Sequence, residues 1–241
     1  MSATATAVVT GGSAGIGLQI CQDLLDRGYE VISLALEESP LRHKRLTSIA
    51  VDLSEVEATR RTVAMVAERG PTTIICNAGV TRSALLEEVT LDDLDDLVNL
   101  YFASTILLAQ ACLPAMKASR FGRIVMISSR AAVGLATRTV YTATKSGLIG
   151  LARTWALELG PVGITVNVVA PGPVPTQMFT DVVPTGSERE RKLIESLPVR
   201  RLGTPADIAR AVLYFADPLN GFVTGQTLFV CGGASVGYLQ I

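Results

Sequence analysis

The chain predicts an α/β fold: a doubly wound parallel sheet of about seven strands with helices on both faces, in one domain over residues 1–241. Three observations predict it. Short β-branched runs alternate with longer helix-like segments along the whole chain. Most of the short runs are apolar throughout and lack two-residue alternation, as strands covered on both faces do. A glycine cluster sits where the first run gives way to the first helix-like segment, in "AVVTGGSAGIG" from Ala7 to Gly17.

Each element follows from its own stretch. Ala7–Thr10 is the first strand, and Gly15–Arg27 is the helix after the glycines. Glu30–Ala35 and Ser48–Val51 are the next strands, joined by a short crossover. Ser54–Arg69 returns as a helix to a strand at Thr73–Cys76. Thr90 opens a long helix, Leu91–Ala118, with Asp92 and Asp93 in its first turn. Gly122–Ser128 is a strand, Tyr141–Leu159 a helix and Ile164–Val169 a strand. Glu188–Ser196 and Pro205–Ala216 are helices. Thr204 announces the second, with Pro at the first helical position and Asp207 in the first turn. Thr227–Val230 is the last strand. No linker, repeat or low-complexity tract divides the chain. In such a sheet ligands sit beyond the carboxyl ends of the strands.

Composition narrows the function. The formal net charge is −1, which gives no electrostatic basis for nucleic acid or an acidic membrane as partner. Cys21, Cys76, Cys112 and Cys231 lie among mostly apolar or small neighbours with no paired spacing. They read as buried free thiols of a reducing compartment, the cytoplasm. His43 is the single histidine, set among Arg42, Lys44 and Arg45, so no His-rich metal site exists and no metal is expected. The first residues are small, polar and uncharged, unlike a signal peptide. No run of about 18 uncharged apolar residues occurs, so no membrane span is expected.

The glycines have a physical purpose at this place. Gly11 and Gly12 allow backbone angles that a side chain forbids. Gly15 and Gly17 let the turn and the first helix approach a ligand, or the sheet, with no Cβ between. The helix that begins there turns its free N–H groups to the loop, which favours a pyrophosphate. The spacing G-x-x-x-G-x-G serves a tight structural turn as well as a phosphate cradle, and does not separate an enzyme from a nucleotide sensor.

The sharper signal is "VYTATKSGLIG". Tyr141 and Lys145 stand four apart where the sequence is helical, so they share a face. A tyrosine with its ordinary pKa of about 10 is a poor base at neutral pH. An ammonium one helical turn away stabilises the phenolate. Such a phenol takes a proton from an alcohol, or gives one to a ketone, as hydride moves. Upstream, the strand in "GRIVMISSRAAVG" ends at Ser128 and Ser129, where a hydroxyl reaches a substrate oxygen or merely caps a turn.

Taken together and in order, these stretches resemble the short-chain dehydrogenase/reductase family. "TGGSAGIG" (Thr10–Gly17) matches its T-G-x-x-x-G-x-G turn, and "YTATK" matches its Y-x-x-x-K. "CNAG" (Cys76–Gly79) resembles its N-N-A-G with Cys in the first place, and "PGPVPTQM" (Pro171–Met178) resembles its P-G-x-x-x-T. "LPVRRLGTPADIARAVLYFAD" and "FVTGQTLFVCGG" are similar to the C-terminal part of 3-oxoacyl-carrier-protein-reductase-like members. The likeness runs from residue 7 to 233.

The resemblance implies a Rossmann-type fold and these roles. Tyr141 is the general acid/base. Lys145 lowers its pKa and holds the nicotinamide ribose. Ser129, preferred over Ser128, binds the substrate oxygen, and Asn99 in "LVNLYFAS" holds a proton-relay water. Gly11, Ser13, Ala14, Gly15, Ile16 and Gly17 hold the cofactor phosphates. Asp52 and Leu53 meet the adenine, and Asn77, Ala78 and Gly79 floor its ribose. Pro171, Gly172, Val174 and Thr176 meet the nicotinamide. The second strand ends at Ala35 where NAD-preferring relatives carry Asp, so the cofactor expected is NADP, with NAD as the alternative. Arg42, Lys44 and Arg45 are either a phosphate-reaching group or a solvated face.

Apolar Val133, Leu135, Val174, Met178 and Phe179 imply a neutral, fairly hydrophobic ketone or secondary alcohol under a substrate lid at about 177–200. A 3-oxoacyl thioester is the alternative substrate. Arg130 and Arg138 either meet an acidic substrate or are solvated. A catalytically silent dinucleotide sensor on the same fold is the alternative function. Family members form tetramers through the helices here near 91–118 and 141–159, so a homo-oligomer, tetramer or dimer, is expected, and the apolar tail "GYLQI" is compatible with it.

Overall fold

Alternation inside the strands, hidden by their uniformly apolar composition, gives the sheet two buried faces. The computed structural model describes residues 5–236. Its strands are β1 (Thr6–Thr10), β2 (Glu30–Ala35), β3 (Leu46–Ala50), β4 (Thr73–Cys76), β5 (Gly122–Ile127), β6 (Ile164–Pro171) and β7 (Thr227–Val230). All pair in parallel, in the order β3-β2-β1-β4-β5-β6-β7. The helices are α1 (Gly15–Asp26), α2 (Val56–Ala67), α3 (Leu91–Val98), α4 (Ser104–Ser119), α5 (Thr139–Leu159), α6 (Gln177–Thr180), α7 (Glu188–Ser196) and α8 (Pro205–Ala216).

Ala7, Val9, Ile75, Val125 and Val169 point to one face, against Ile20 and Leu24 of α1 and Ile208 and Val212 of α8. Val8, Ile74, Ile124, Met126 and Val166 point to the other. There they meet Val63 of α2, Leu108 and Met116 of α4, and Leu148 of α5. Each fully buried Ile, Leu or Val contributes about 1.5–3 kcal/mol. The winding direction reverses between β1 and β4, which opens a crevice at their carboxyl ends.

The expected caps are formed. The Thr90 hydroxyl accepts from Asp93 N at 3.1 Å, and Thr204 and Asp207 make a reciprocal capping box. Cys21, Cys76, Cys112 and Cys231 are free and buried. Most element ends shift by one or two residues, and three differences have a physical reason. β6 runs on to Pro171, because proline costs no ladder bond at a strand's last residue. The short α6 carries no apolar periodicity and was not expected. The long helix predicted over 91–118 is interrupted by one π-helical turn, Asn99–Ala103. The whole run Leu91–Ser119 is long and apolar enough to cross a membrane by length and composition alone. Here Leu97, Leu108, Cys112 and Met116 set it against the sheet. The tail "GYLQI" lies outside the described residues.

Candidate active site

One cavity of about 990 Å³ occupies the crevice. Its back is built from the ends of β1 and β4. The Thr10 hydroxyl accepts from Asn77 N and Ala78 N, each at 2.9 Å. Asn77 Nδ2 donates to the carbonyls of Thr10 at 3.0 Å and Gly11 at 3.3 Å. Gly11 has φ +68° and Gly15 φ +52°, so both need glycine's freedom. The first bond of α1 runs from Leu18 N to Ala14 O, which leaves the N–H groups of Gly15, Ile16 and Gly17 without helical partners. This end has no side-chain cap and no acid in its first turn. Such a cradle fits a dinucleotide's pyrophosphate.

Gly11, Ser13, Ala14, Gly15 and Ile16 line the cavity, and Gly17 does not. A Cβ on Gly17 would stand 2.1 Å from Gly11 O and 2.5 Å from Asn77 Nδ2, so its role is close packing of helix on turn. Gly17→Ala is expected to lower the urea-unfolding free energy by about 3 kcal/mol and to weaken dinucleotide binding with it, since backbone oxygen cannot yield. An unchanged midpoint would contradict this.

Asp52, Leu53, Ala78 and Gly79 line the next stretch. Asp52 is exposed and accepts from Ser54 N at 2.9 Å and Ser54 Oγ at 2.6 Å, so it also shapes the turn before α2. β2 ends at the wall with Ala35 and Leu36. Arg42 and Arg45 do not line the cavity. Arg42 donates to Ser39 O at 3.0 Å and Arg45 to Leu25 O at 2.6 Å. Pro171, Gly172, Val174 and Thr176 form the far side, where a Cβ on Gly172 would stand 2.6 Å from Cys231 Cα.

At the carboxyl end of β5 the two serines part. Ser128 Oγ turns away and donates to Lys145 O at 2.7 Å. Ser129 faces the cavity, and its hydroxyl lies near enough to the Tyr141 phenol to favour the phenolate. Burial outweighs this and raises the Tyr141 pKa above its ordinary 10.0, with Ser129 first and then the Arg138 charge opposing.

Lys145 is 3% exposed, and burial depresses its pKa from 10.5 to about 7. Its Nζ donates to Ile127 O at 2.7 Å and stands 3.9 Å from the centre of the Tyr101 ring, against 5.6 Å from that of Tyr141. Tyr101 packs edge-on to Tyr141, with ring centres 6.1 Å apart, and donates its hydroxyl to Val80 O at 2.6 Å.

Tyr101 is the residue the sequence reading missed. Asn99, expected beside the lysine, is not among the lining residues, whereas Leu100 and Tyr101 are. Two positions apart on a helix, side chains point to opposite sides. The wide turn makes Tyr101 the inward one, and a π turn inside an apolar helix leaves no mark in hydropathy.

The fold and this cleft define a hydride-transferring enzyme built around a nicotinamide dinucleotide site. The family model described as enoyl-(acyl carrier protein) reductase matches residues 11–235. The chain is 35% identical over 242 residues to the (2S)-[(R)-hydroxy(phenyl)methyl]succinyl-CoA dehydrogenase subunit BbsD of Thauera aromatica, covering 95% of this chain and 96% of that one. It is 35% identical over 238 residues to the 3-oxoacyl-[acyl-carrier-protein] reductase FabG of Vibrio harveyi, covering 94% and 96%. A solved structure of ElxO with NADP bound matches with a TM-score of 0.86 at 25% identity, covering 97% of this chain and all of that one. The chain belongs to the short-chain dehydrogenase/reductase family, in its 3-oxoacyl-carrier-protein-reductase-like branch, and is an NAD(P)-dependent oxidoreductase acting on CH–OH and keto groups.

Proposed function

We propose that the protein interconverts a secondary alcohol and its ketone, with an apolar substrate body, using NADP(H). One observation carries this reading: Ser129, Tyr141 and Lys145 converge on the cavity that also holds the glycine cradle. The bound nicotinamide accepts or supplies the hydride. Tyr141 takes the hydroxyl proton during oxidation and returns it during reduction. Ser129 donates a hydrogen bond to the substrate oxygen. Lys145, held by Ile127 O and the Tyr101 face, stands behind the phenol and, where protonated, favours the phenolate.

The end of β2 supports NADP over NAD. Ala35 and Leu36 offer no carboxylate to grip a pair of ribose hydroxyls or to repel a 2′-phosphate. The segment 177–200 acts as a lid, since Met178, Phe179, Val183 and Leu193 line the cavity from it. A 3-oxoacyl thioester is the second reading. Exposed Leu135 on the cavity wall would take an acyl chain, whereas Val133 does not line the cavity, and the FabG relative is named for that substrate. Exposed Leu91 and Leu157 support self-association through the long helices, and the buried thiols support a reducing cytoplasm.

The test is reduction of a panel of apolar ketones with NADPH and NADH side by side, followed by reduced-nicotinamide absorbance. NADPH is expected to give about tenfold the kcat/KM of NADH. Equal values would reverse the cofactor choice. Tight dinucleotide binding without turnover of any compound would replace the enzyme by the sensor.

A further inference from the structure

The reacting end of the cavity holds a cation with no carboxylate partner among the described residues. Arg138 is only 9% exposed, although it sits in the loop just before α5. Its Nη1 donates to its neighbour Thr137, to the carbonyl at 3.0 Å and the hydroxyl at 2.8 Å. Beyond Thr137 the guanidinium has only the Tyr141 phenol near it as a group of opposite sign, and no carboxylate among the described residues pairs with it. Arginine is almost never covered to this degree unless paired. Thr137 has φ +63°, a conformation that a β-branched residue adopts only under constraint, and it turns the next side chain onto the cavity wall.

A second cation faces the same space from the opposite rim. Arg189 of α7 lines the cavity, donates to Val182 O at 3.0 Å, and likewise has no carboxylate partner. It is near enough to Arg138 for the two charges to repel. α5 starts beside them with no side-chain cap and no acid in its first turn, so its dipole adds the same sign. The acids on the cavity wall are already engaged, Asp52 with Ser54 and Asp96 with Arg82. The cavity therefore places two arginines near Tyr141 with no carboxylate of the described residues bonded to either.

We propose that Arg138 and Arg189 bind a carboxylate of the substrate, so that the substrate is a hydroxy acid or its oxo acid, with an apolar body and its carbinol carbon a few bonds from the carboxylate. The inference rests on the oxidoreductase reading and adds a charged end to the substrate described there. Arg138 precedes Tyr141 by one helical turn, which sets the short reach between carboxylate and carbinol. The carboxylate is held as a point of attachment and makes or breaks no bond.

The test compares 3-hydroxy-3-phenylpropanoate with its methyl ester, using the NADP-loaded enzyme. The wild-type protein is expected to prefer the acid, and Arg138→Gln to cut the acid-to-ester ratio of kcat/KM by about thirtyfold. Arg138→Lys should recover part of the ratio, and Arg189→Gln, on the exposed side, should lose about threefold. Calorimetric binding of the unreactive 3-phenylpropanoate gives a second readout that needs no turnover: Arg138→Gln is expected to weaken it by a similar factor. Should neither compound turn over, this binding decides. Dependence on Arg138 upholds the anion site, and equal binding by wild type and variant overturns it. An ester used as well as the acid by the wild-type protein also overturns it. Failure of the oxidoreductase reading itself shows separately, as turnover that is indifferent to Tyr141.

Discussion

Tyr141→Phe should lower kcat by about a thousandfold and leave dinucleotide affinity within about threefold. The change removes one oxygen and keeps the ring, so the edge contact with Tyr101 and the start of α5 persist. On the proposed mechanism, what is lost is the group that takes the proton of the substrate hydroxyl. Ser129 cannot substitute, because a hydroxyl with no neighbouring base remains a donor. Initial rates by nicotinamide absorbance, with cofactor binding by calorimetry, separate the two effects. A variant that keeps a tenth of its activity would remove Tyr141 from the chemistry. The phenol starts from a pKa raised by burial, so the wild-type oxidation rate should climb with pH through the alkaline range.

Lys145→Met is expected to cost about a hundredfold or more in kcat, by removing the amine that stands behind the phenol. It also has a signature in stability. The lysine pKa falls from 10.5 to about 7 on folding. Between those values the unfolded chain holds the proton and the native protein does not, so stability rises with pH across that window. Below pH 7 both states are protonated, and the penalty of the buried ammonium is present in full. The methionine variant lacks this dependence. It should therefore be more stable than the wild-type protein at pH 6 by a few kcal/mol, less the cost of leaving Ile127 O unpaired. The gap should narrow steadily from pH 7 to pH 9. Burial pushes Cys21, Cys76 and Cys112 up to about 12, so both proteins lose stability above pH 9 as the unfolded thiols ionise. Subtracting one urea-unfolding series from the other cancels that loss. A gap that does not change with pH would mean that Lys145 is already paired in the folded state.

Much of this was legible in the chain itself, for stated reasons. Runs such as ITVNVVAP and GRIVMI bury on both faces, so composition marked them as central strands. The glycines and the Tyr141–Lys145 pair are each ambiguous alone and became legible because they follow one another in order on the expected strands and helices. The inner face of the long helix was not legible. Every residue from Leu97 to Ala103 except Asn99 is apolar, aromatic or both, so composition does not mark Tyr101 as the ring beside Lys145. Arg138 was ambiguous for a different reason. Whether a loop arginine faces water or a cleft depends on one backbone angle at Thr137, which composition does not encode.

The Thr10 hydroxyl has a mechanical consequence. It is the clasp between the ends of the neighbouring strands β1 and β4, where the chain leaves the sheet, and it takes both amides at the same distance. The gap between the phosphate cradle and the ribose floor is thereby set before any ligand arrives. Valine at this position keeps the shape and unfastens the clasp, leaving two amides unanswered, so the cleft would then have to be gathered by the dinucleotide itself.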